Sequence, residues 1–265
     1  IMKKTRNLLL LMGILALAAV STSCGESGKA SSGTTAAAAA SDQGGSEAQG
    51  KTEKAGEEKS SEVKSMSGAD LQALEDDKDK KETALVIDVR SPEEYAEGHV
   101  KFAVNMPLDT LKDRLGELEP WKDKTLILYC NSGKKSGEAA KLLAENGFKD
   151  LRNADGVKQY DYKLVKYGNI TGEELMKKKD EADLIVDVRE AKDYDEDHFD
   201  KAVNVSVDKL SDLDSLLPEN KDALILTHCY SGNRSQKAAE YIADKGYTNV
   251  WNTLDGTKEM EYSFH

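Results

Sequence analysis

The chain has 265 residues, 32% of them charged and 38% hydrophobic, with a formal net charge of −12. That length suits one or two domains. Acidity without a basic, aromatic-interleaved patch excludes nucleic acid as a partner held by charge. Three cysteines and four histidines, with no C-x-x-C and no close histidine pair, argue against a metal site and imply no cofactor.

Lys3, Lys4 and Arg6 precede an unbroken apolar run from Leu8 to Val20, followed by "STSC". A basic start, a short apolar stretch and small residues form an export signal over 1–23. The run is too short to be a comfortable membrane span. The segment ends on Cys24 rather than on an A-x-A site, and so resembles a bacterial lipoprotein signal. That resemblance implies a lipidated Cys24 and an extracytoplasmic protein anchored to a membrane, at the cell surface or in a periplasm. Residues 24–64 are Gly, Ser, Ala, Glu, Lys and Thr with almost nothing apolar. Such a stretch cannot bury a core and reads as a disordered tether, with a root-mean-square reach of roughly 35 Å.

The remainder is an internal repeat. "LVIDVRSPEEY" (85–95) matches "LIVDVREAKDY" (184–194), "GHVKFAVNM" (98–106) matches "DHFDKAVNV" (197–205), and "YCNSGKKS" (129–136) matches "HCYSGNRS" (228–235). The cysteines Cys130 and Cys229 align at the same offset as Asp88 and Asp187. Upstream, "SMSGADL" (65–71) matches "NITGEEL" (169–175) at a larger offset, which places an insertion in the charged "EDDKDKKE" loop of the first copy. Two domains follow, 65–165 and 166–265.

Within each copy, short apolar runs such as Leu85 to Val89 and Leu126 to Tyr129 have the length of buried strands. Ser91, Pro92 and Glu94 form a capping box that opens a helix. Behind the cysteine, Ala139, Ala140, Leu142 and Leu143 share a helical face that stops at Gly147; Ala238, Ala239, Tyr241 and Ile242 do the same before Gly246. Alternating strands and helices predict an α/β fold with a mainly parallel sheet flanked by helices in each domain. Each cysteine then sits past the carboxyl end of a strand and before a helix, where such sheets bind ligands and where free N–H groups favour an anion.

The reactive form of cysteine is the thiolate, favoured by a helix N-terminus and a nearby cation. Gly232 allows a tight turn whose N–H groups form an anion nest. Arg234 offers a planar fork to an oxyanion, whereas Lys135 supplies charge without the fork. Two cysteines in matching contexts point to two reactive sites rather than one disulfide.

"DVR" after the first strand, an aromatic five residues later, "GH" before the next strand, and C-x-x-G-x-[RK]-S in the loop together resemble the rhodanese sulfurtransferases, as two tandem domains. The resemblance implies a cysteine persulfide that carries a sulfane sulfur from a small donor anion such as thiosulfate to cyanide or a thiol, by ping-pong covalent catalysis. A protein sulfur acceptor is a further implied partner. It makes Cys229 and Cys130 the catalytic residues. Tyr230, Ser231, Gly232, Asn233, Arg234 and Ser235 become one anion-binding loop, and Asn131, Ser132, Gly133, Lys134, Lys135 and Ser136 the other. "GHVKFA" and "DHFDKA" lack the family's usual Pro and second Gly, and "DG" followed by Tyr160 or Met260 replaces its Gly-Gly and Trp. Lys135 in place of Arg favours Cys229 as the principal site.

Two other functions fit the same residues: a non-catalytic sulfur-carrier, redox or partner-binding module, and a phosphatase. The phosphatase is disfavoured because Arg234 follows Cys229 by five residues, one fewer than in Cys-to-Arg phosphate loops. Asp88 and Asp187 are expected to pair with backbone or with an arginine such as Arg90 or Arg189 and so hold the strand end, in preference to a role beside the thiol. His99 and His198 are expected in structural hydrogen bonds, His228 as a strand neighbour of the thiol, and Trp121 and Trp251 in packing.

Overall fold

The computed structural model describes residues 62–265. The expected signal, nearly all of the tether, and Cys24 lie outside the described residues.

The first repeat runs β1 (Val63–Met66), α1 (Gly68–Asp76), α2 (Lys78–Lys81), β2 (Ala84–Asp88), α3 (Pro92–Glu97), β3 (His99–Val100), β4 (Val104–Asn105), α4 (Leu108–Leu111), a 3-10 stretch Lys112–Trp121, β5 (Thr125–Tyr129), α5 (Lys134–Glu145) and β6 (Asp150–Ala154). After β7 (Leu164–Val165), the second runs β8 (Gly168–Ile170), α6 (Gly172–Lys178), β9 (Leu184–Asp187), α7 (Ala191–Glu196), β10 (Ala202–Asn204), a 3-10 stretch Val207–Ser215, β11 (Ile225–His228), α8 (Ser235–Asp244) and β12 (Val250–Thr253).

Two five-stranded sheets result, ordered β1-β6-β5-β2-β4 and β8-β12-β11-β9-β10. Every neighbouring pair within them is parallel. The two orders are the same permutation, as a duplicated unit requires. β3 and β7 form a separate antiparallel pair.

The strands are apolar on both faces because helices cover both. Leu85, Ile87, Leu126 and Leu128 pack with Ala139, Ala140 and Leu143 of α5. The alternate positions Val86 and Ile127 pack on the other face with Leu71 and Leu74 of α1, as the two-residue strand period dictates. Each such side chain, fully buried, contributes roughly 1.5–3 kcal/mol.

The capping box at α3 forms as its sequence predicts, with Ser91 accepting from the Glu94 N–H and Glu94 from the Ser91 N–H. Thr171 and Glu174 repeat it at α6. α5 and α8 end ahead of Gly147 and Gly246, whose φ values of 87° and 86° continue the chain left-handed. The buried face of α5 differs from the expected one: it is Ser136, Ala139, Ala140, Leu143 and Ala144, while Leu142 is half-buried. Tyr241 on α8 is likewise half-buried. A period of 3.6 residues from the buried serine carries the stripe through 139/140 and 143/144, leaving 142 at its flank.

The insertion of the first repeat is α2. In the second repeat only residues 179–183 separate α6 from β9. Tyr160 and Met260 pack as counterparts: a Cβ on Gly68 would fall 2.3 Å from the Tyr160 ring, and one on Gly172 would overlap the Met260 sulfur. Among the described residues no helix is long and apolar enough to cross a membrane.

Candidate active site at the two thiol loops

Cys130 and Cys229 are free, and 2% and 1% exposed. Each follows the last residue of a central strand, β5 or β11, and lies at the turn into α5 or α8. Gly133 and Gly232, at φ 76° and 74°, make that turn. The second wall of each loop is the turn after β6 or β12. A Cβ on Gly156 would lie 2.2 Å from the Asn131 carbonyl carbon, and one on Gly256 2.0 Å from that of Tyr230. Only glycine lets the two backbone segments touch there, which gives the "DG" dipeptides their role.

Burial pushes the Cys130 thiol up, but the Ser136 hydroxyl and the N–H groups of Ser132, Ser136 and Lys135 outweigh it and leave the thiol below its ordinary pKa. Ser136 Oγ lies 3.4 Å from Cys130 Sγ and donates to Asn153 Oδ1 at 2.7 Å. Ser235 Oγ lies 3.5 Å from Cys229 Sγ and donates to Asn252 Oδ1 at 2.7 Å. A serine hydroxyl has one proton and two lone pairs. It therefore bonds the asparagine while the thiol is neutral and is available to turn toward sulfur once the thiolate forms. The asparagine amides are held in orientation: Asn153 Nδ2 donates to the Gly133 carbonyl, and Asn252 Nδ2 to Asn169 Oδ1.

Beneath the loops, Arg90 grips Asp88 through its backbone N–H, Nε and Nη2, and Arg189 grips Asp187 in the same way. Both pairs are buried. The expected aspartate–arginine pairing is therefore a strand-end lock, completed by Asn105 and Asn204, which each donate to two carbonyls of that turn. The aromatic of the family pattern is structural too: Tyr95 and Tyr194 donate to the Ala103 and Ala202 carbonyls at 2.7 Å. His99 Nδ1 and His198 Nδ1 meet the Tyr95 and Tyr194 carbonyls. Burial depresses His99 to about 3.

The copies differ next to the cysteine. Tyr129 donates to Asp88 Oδ2 at 2.8 Å. His228 takes the same register position beside Asp187, but its Nε2 stops 3.6 Å short of the carboxylate. Burial lowers His228 to about 4 despite Asp187, so it is neutral at neutral pH and supplies no charge to the thiol.

Of the loop side chains, Arg234 lines the pocket that opens at Cys229 and pairs with Glu190 at 2.5 Å on a partly exposed surface. Glu190 stands where the first repeat has the cap Ser91, and α7 has no side-chain cap. Tyr230 hydrogen-bonds Asp193, and Asn233 reaches Ser231 Oγ at 3.1 Å. In the first copy Asn131 donates to Glu94 at 2.6 Å, while Ser132, Lys134 and Lys135 are exposed.

Sequence reasoning missed four contributors. Asn153 and Asn252 carried a readable signal, since each recurs 17 residues after the loop serine. Asn169 and Lys81 carried none, because they approach Cys229 from outside its own strand–loop–helix unit. Among the described residues no His, Cys, Asp and Glu cluster could hold a metal ion.

A duplicated open parallel sheet with a buried thiol in a glycine-turned loop before a helix defines a class: tandem α/β proteins with a cysteine at each strand-to-helix turn. The family model "Rhodanese-like domain" matches residues 70–158 and 171–261. The chain belongs to the rhodanese family, as a tandem pair, and is related to sulfurtransferases. It is 42% identical over 80 residues to the thiosulfate sulfurtransferase PspE of Escherichia coli, covering 30% of this chain and 77% of that one. It is 30% identical over 95 residues to the tRNA uridine(34) hydroxylase of Cronobacter sakazakii, covering 34% of this chain and only 26% of that one. A solved E. coli rhodanese with anions matches at 41% identity and a TM-score of 0.30, over 31% of this chain and 98% of that one.

Proposed function

We propose that this protein is a thiosulfate-type sulfurtransferase working through a cysteine persulfide, with Cys229 as principal nucleophile and Cys130 as a second reactive thiol. The supporting observation is the setting of each sulfur: buried, at a helix start, beside a serine hydroxyl poised between sulfur and an asparagine. The thiolate attacks the outer sulfur of the donor. The donor S–S bond breaks, sulfite leaves with the electron pair, and Cys–S–S⁻ forms. Cyanide or a thiolate then attacks the outer sulfur and the cysteine thiolate leaves. The 42% identity of one 80-residue stretch to a thiosulfate sulfurtransferase supports the same reading.

Intact-protein mass spectrometry before and after thiosulfate tests it, on wild type, Cys130→Ser and Cys229→Ser. Gain of sulfur, removed by cyanide and lost for the most part in Cys229→Ser, is expected, with the remainder carried by Cys130. Sulfur uptake lost only in Cys130→Ser reverses the assignment of the two thiols.

The exposed Ser132, Lys134 and Lys135 around Cys130 favour a second reading for that loop, as a surface that passes sulfur to a protein acceptor. We further infer export and anchoring through lipidated Cys24, supported by the signal-like 1–23 segment. Cys24→Ser should move the protein from the membrane fraction to the soluble one, and an unchanged distribution refutes the anchor.

A further inference from the structure

Lys81 belongs to the first domain, yet its ammonium is spent on the second. Its Nζ donates to the Ser231 carbonyl at 2.5 Å and to the Leu254 carbonyl at 3.3 Å. Its side chain runs past the Phe102 ring and the residue is 7% exposed. Burial pulls this lysine's pKa down, and Glu82, Glu259, Asp255 and the Cys229 sulfur resist that pull. Burying an ammonium is costly unless it is well partnered, so these contacts are specific. The Ser231 carbonyl shares a planar trans peptide with the Gly232 N–H, and the two groups point in opposite directions. Fixing the carbonyl therefore fixes the direction of that N–H in the thiol loop. Holding Leu254 as well ties the loop to the turn after β12.

The rest of the insertion faces the same sulfur. Asn233 donates to Glu82 at 3.2 Å. A pocket of about 290 Å³ opens at Cys229 between Lys78, Asp79 and Glu82 on one side and Tyr230, Arg234 and Lys258 on the other. Its charged rim holds three cations, Lys78, Arg234 and Lys258, against two carboxylates, Asp79 and Glu82. The second repeat has no segment equivalent to α2.

We propose that the Asp77–Glu82 insertion of the first domain completes the donor pocket of Cys229, with Lys81 positioning the thiol loop and Lys78 selecting a small anion. The two duplicated thiols are thereby unequal: the first domain shapes the substrate site of the second. This rests on the sulfurtransferase reading only for the identity of the anion.

The test alkylates the full chain with iodoacetate, an anion, and iodoacetamide, its neutral counterpart, reading each cysteine by peptide mass spectrometry. Lys81→Met and Lys78→Gln should each lower the iodoacetate-to-iodoacetamide rate ratio at Cys229 roughly fivefold, the effect of one partly screened unit charge near the sulfur. The ratio at Cys130 should stay unchanged, and Lys81→Arg should keep the Cys229 ratio. An unchanged Cys229 ratio in Lys78→Gln and Lys81→Met, or an equal fall at Cys130, overturns the proposal. If Lys81→Met does not fold, Lys78→Gln, at an exposed side chain, decides alone. Alkylation requires no sulfur transfer. A fallen ratio in a protein that takes no sulfur from thiosulfate sinks the sulfurtransferase reading and leaves the pocket standing; an unchanged ratio in a protein that does take sulfur sinks only the pocket.

Discussion

Ser235 and Asn252 meet at 2.7 Å across 17 residues of sequence, and Ser136 and Asn153 reproduce both values in the first domain. Duplication has kept this contact while the loop side chains around it diverged from Asn131 and Lys135 to Tyr230 and Arg234. The kept feature is a single hydroxyl proton with two claimants, an amide oxygen and a sulfur. It lets the site accept a thiol and stabilise a thiolate or persulfide without moving the backbone.

Ser136→Ala should therefore raise the titration midpoint of Cys130. The Ser136 hydroxyl is the strongest of the groups that lower it. Loss of one such hydrogen bond is worth about 1 kcal/mol, or somewhat under one pH unit. The pH dependence of iodoacetamide alkylation, measured in the Cys229→Ser background, reads the midpoint directly. A midpoint that does not rise would assign the lowered thiol to the loop N–H groups alone.

Asn169 links this contact to the other domain. It donates through Nδ2 to the Ala103 carbonyl at 3.0 Å and accepts from Asn252 at 3.1 Å, and its own N–H donates to the Tyr95 hydroxyl. A carbonyl can only accept, so Ala103 orients the Asn169 amide, Asn169 orients Asn252, and Asn252 orients Ser235. Asn169→Ala should lower sulfur loading at Cys229 several-fold and leave Cys130 unaffected. The first domain's chain, from Ser136 through Asn153 to the Gly133 carbonyl, closes on itself. Loading of each cysteine, followed by peptide mass spectrometry, separates the two. Equal losses at both thiols would mean that Asn169 serves overall stability instead.

The sheet, the long helices and both thiol loops were legible because each rests on local order: strand-length apolar runs, a capping box at Ser91, a helix-stopping Gly147, and a second copy in which the strands and the thiol loop recur. The strand-end lock was legible for the same reason, since Asp88 and Arg90 are two residues apart. The Glu190 partner of Arg234 was not legible, because it lies 44 residues away and replaces a serine cap that the aligned copy keeps. Lys81 was invisible as a site residue. In a charged loop it looks like any solvated lysine, and its acceptors lie 150 and 173 residues further on.

Two buried histidines give the fold an acid limit. His99 falls to about 3 and His228 to about 4 from an ordinary 6.5, each mainly by burial. Between those values and 6.5 the unfolded chain binds more protons than the folded one, so stability rises with pH across that window and is lost as pH falls through it. Each histidine should cost about 2 kcal/mol at pH 5 relative to pH 7.5. Urea unfolding at the two pH values measures the slope. His228→Tyr, which installs the first copy's residue and its bond to the aspartate, should remove about half of it; an unaltered slope would clear His228 of the effect.

Gly256 tests whether loop geometry, and not stability alone, sets reactivity. A Cβ there would sit 2.0 Å from the Tyr230 carbonyl carbon, with the Ser231 nitrogen also closer than 3 Å, so Gly256→Ala must push the turn and the thiol loop apart. Gly246 provides the control: at φ 86° it also resists a side chain, but nothing lies within 4 Å of its Cβ position, and Gly246→Ala should cost only about 1 kcal/mol. Sulfur loading at Cys229 should fall at least tenfold in Gly256→Ala and stay near wild type in Gly246→Ala, under conditions where both are folded. The loop's N–H groups act on charge only while they converge on it, and a displacement of about 1 Å is enough to cost such a site a large part of its rate. If Gly256→Ala keeps full loading, the touching backbones at the "DG" turn serve packing alone, and the thiol loop is rigid without them.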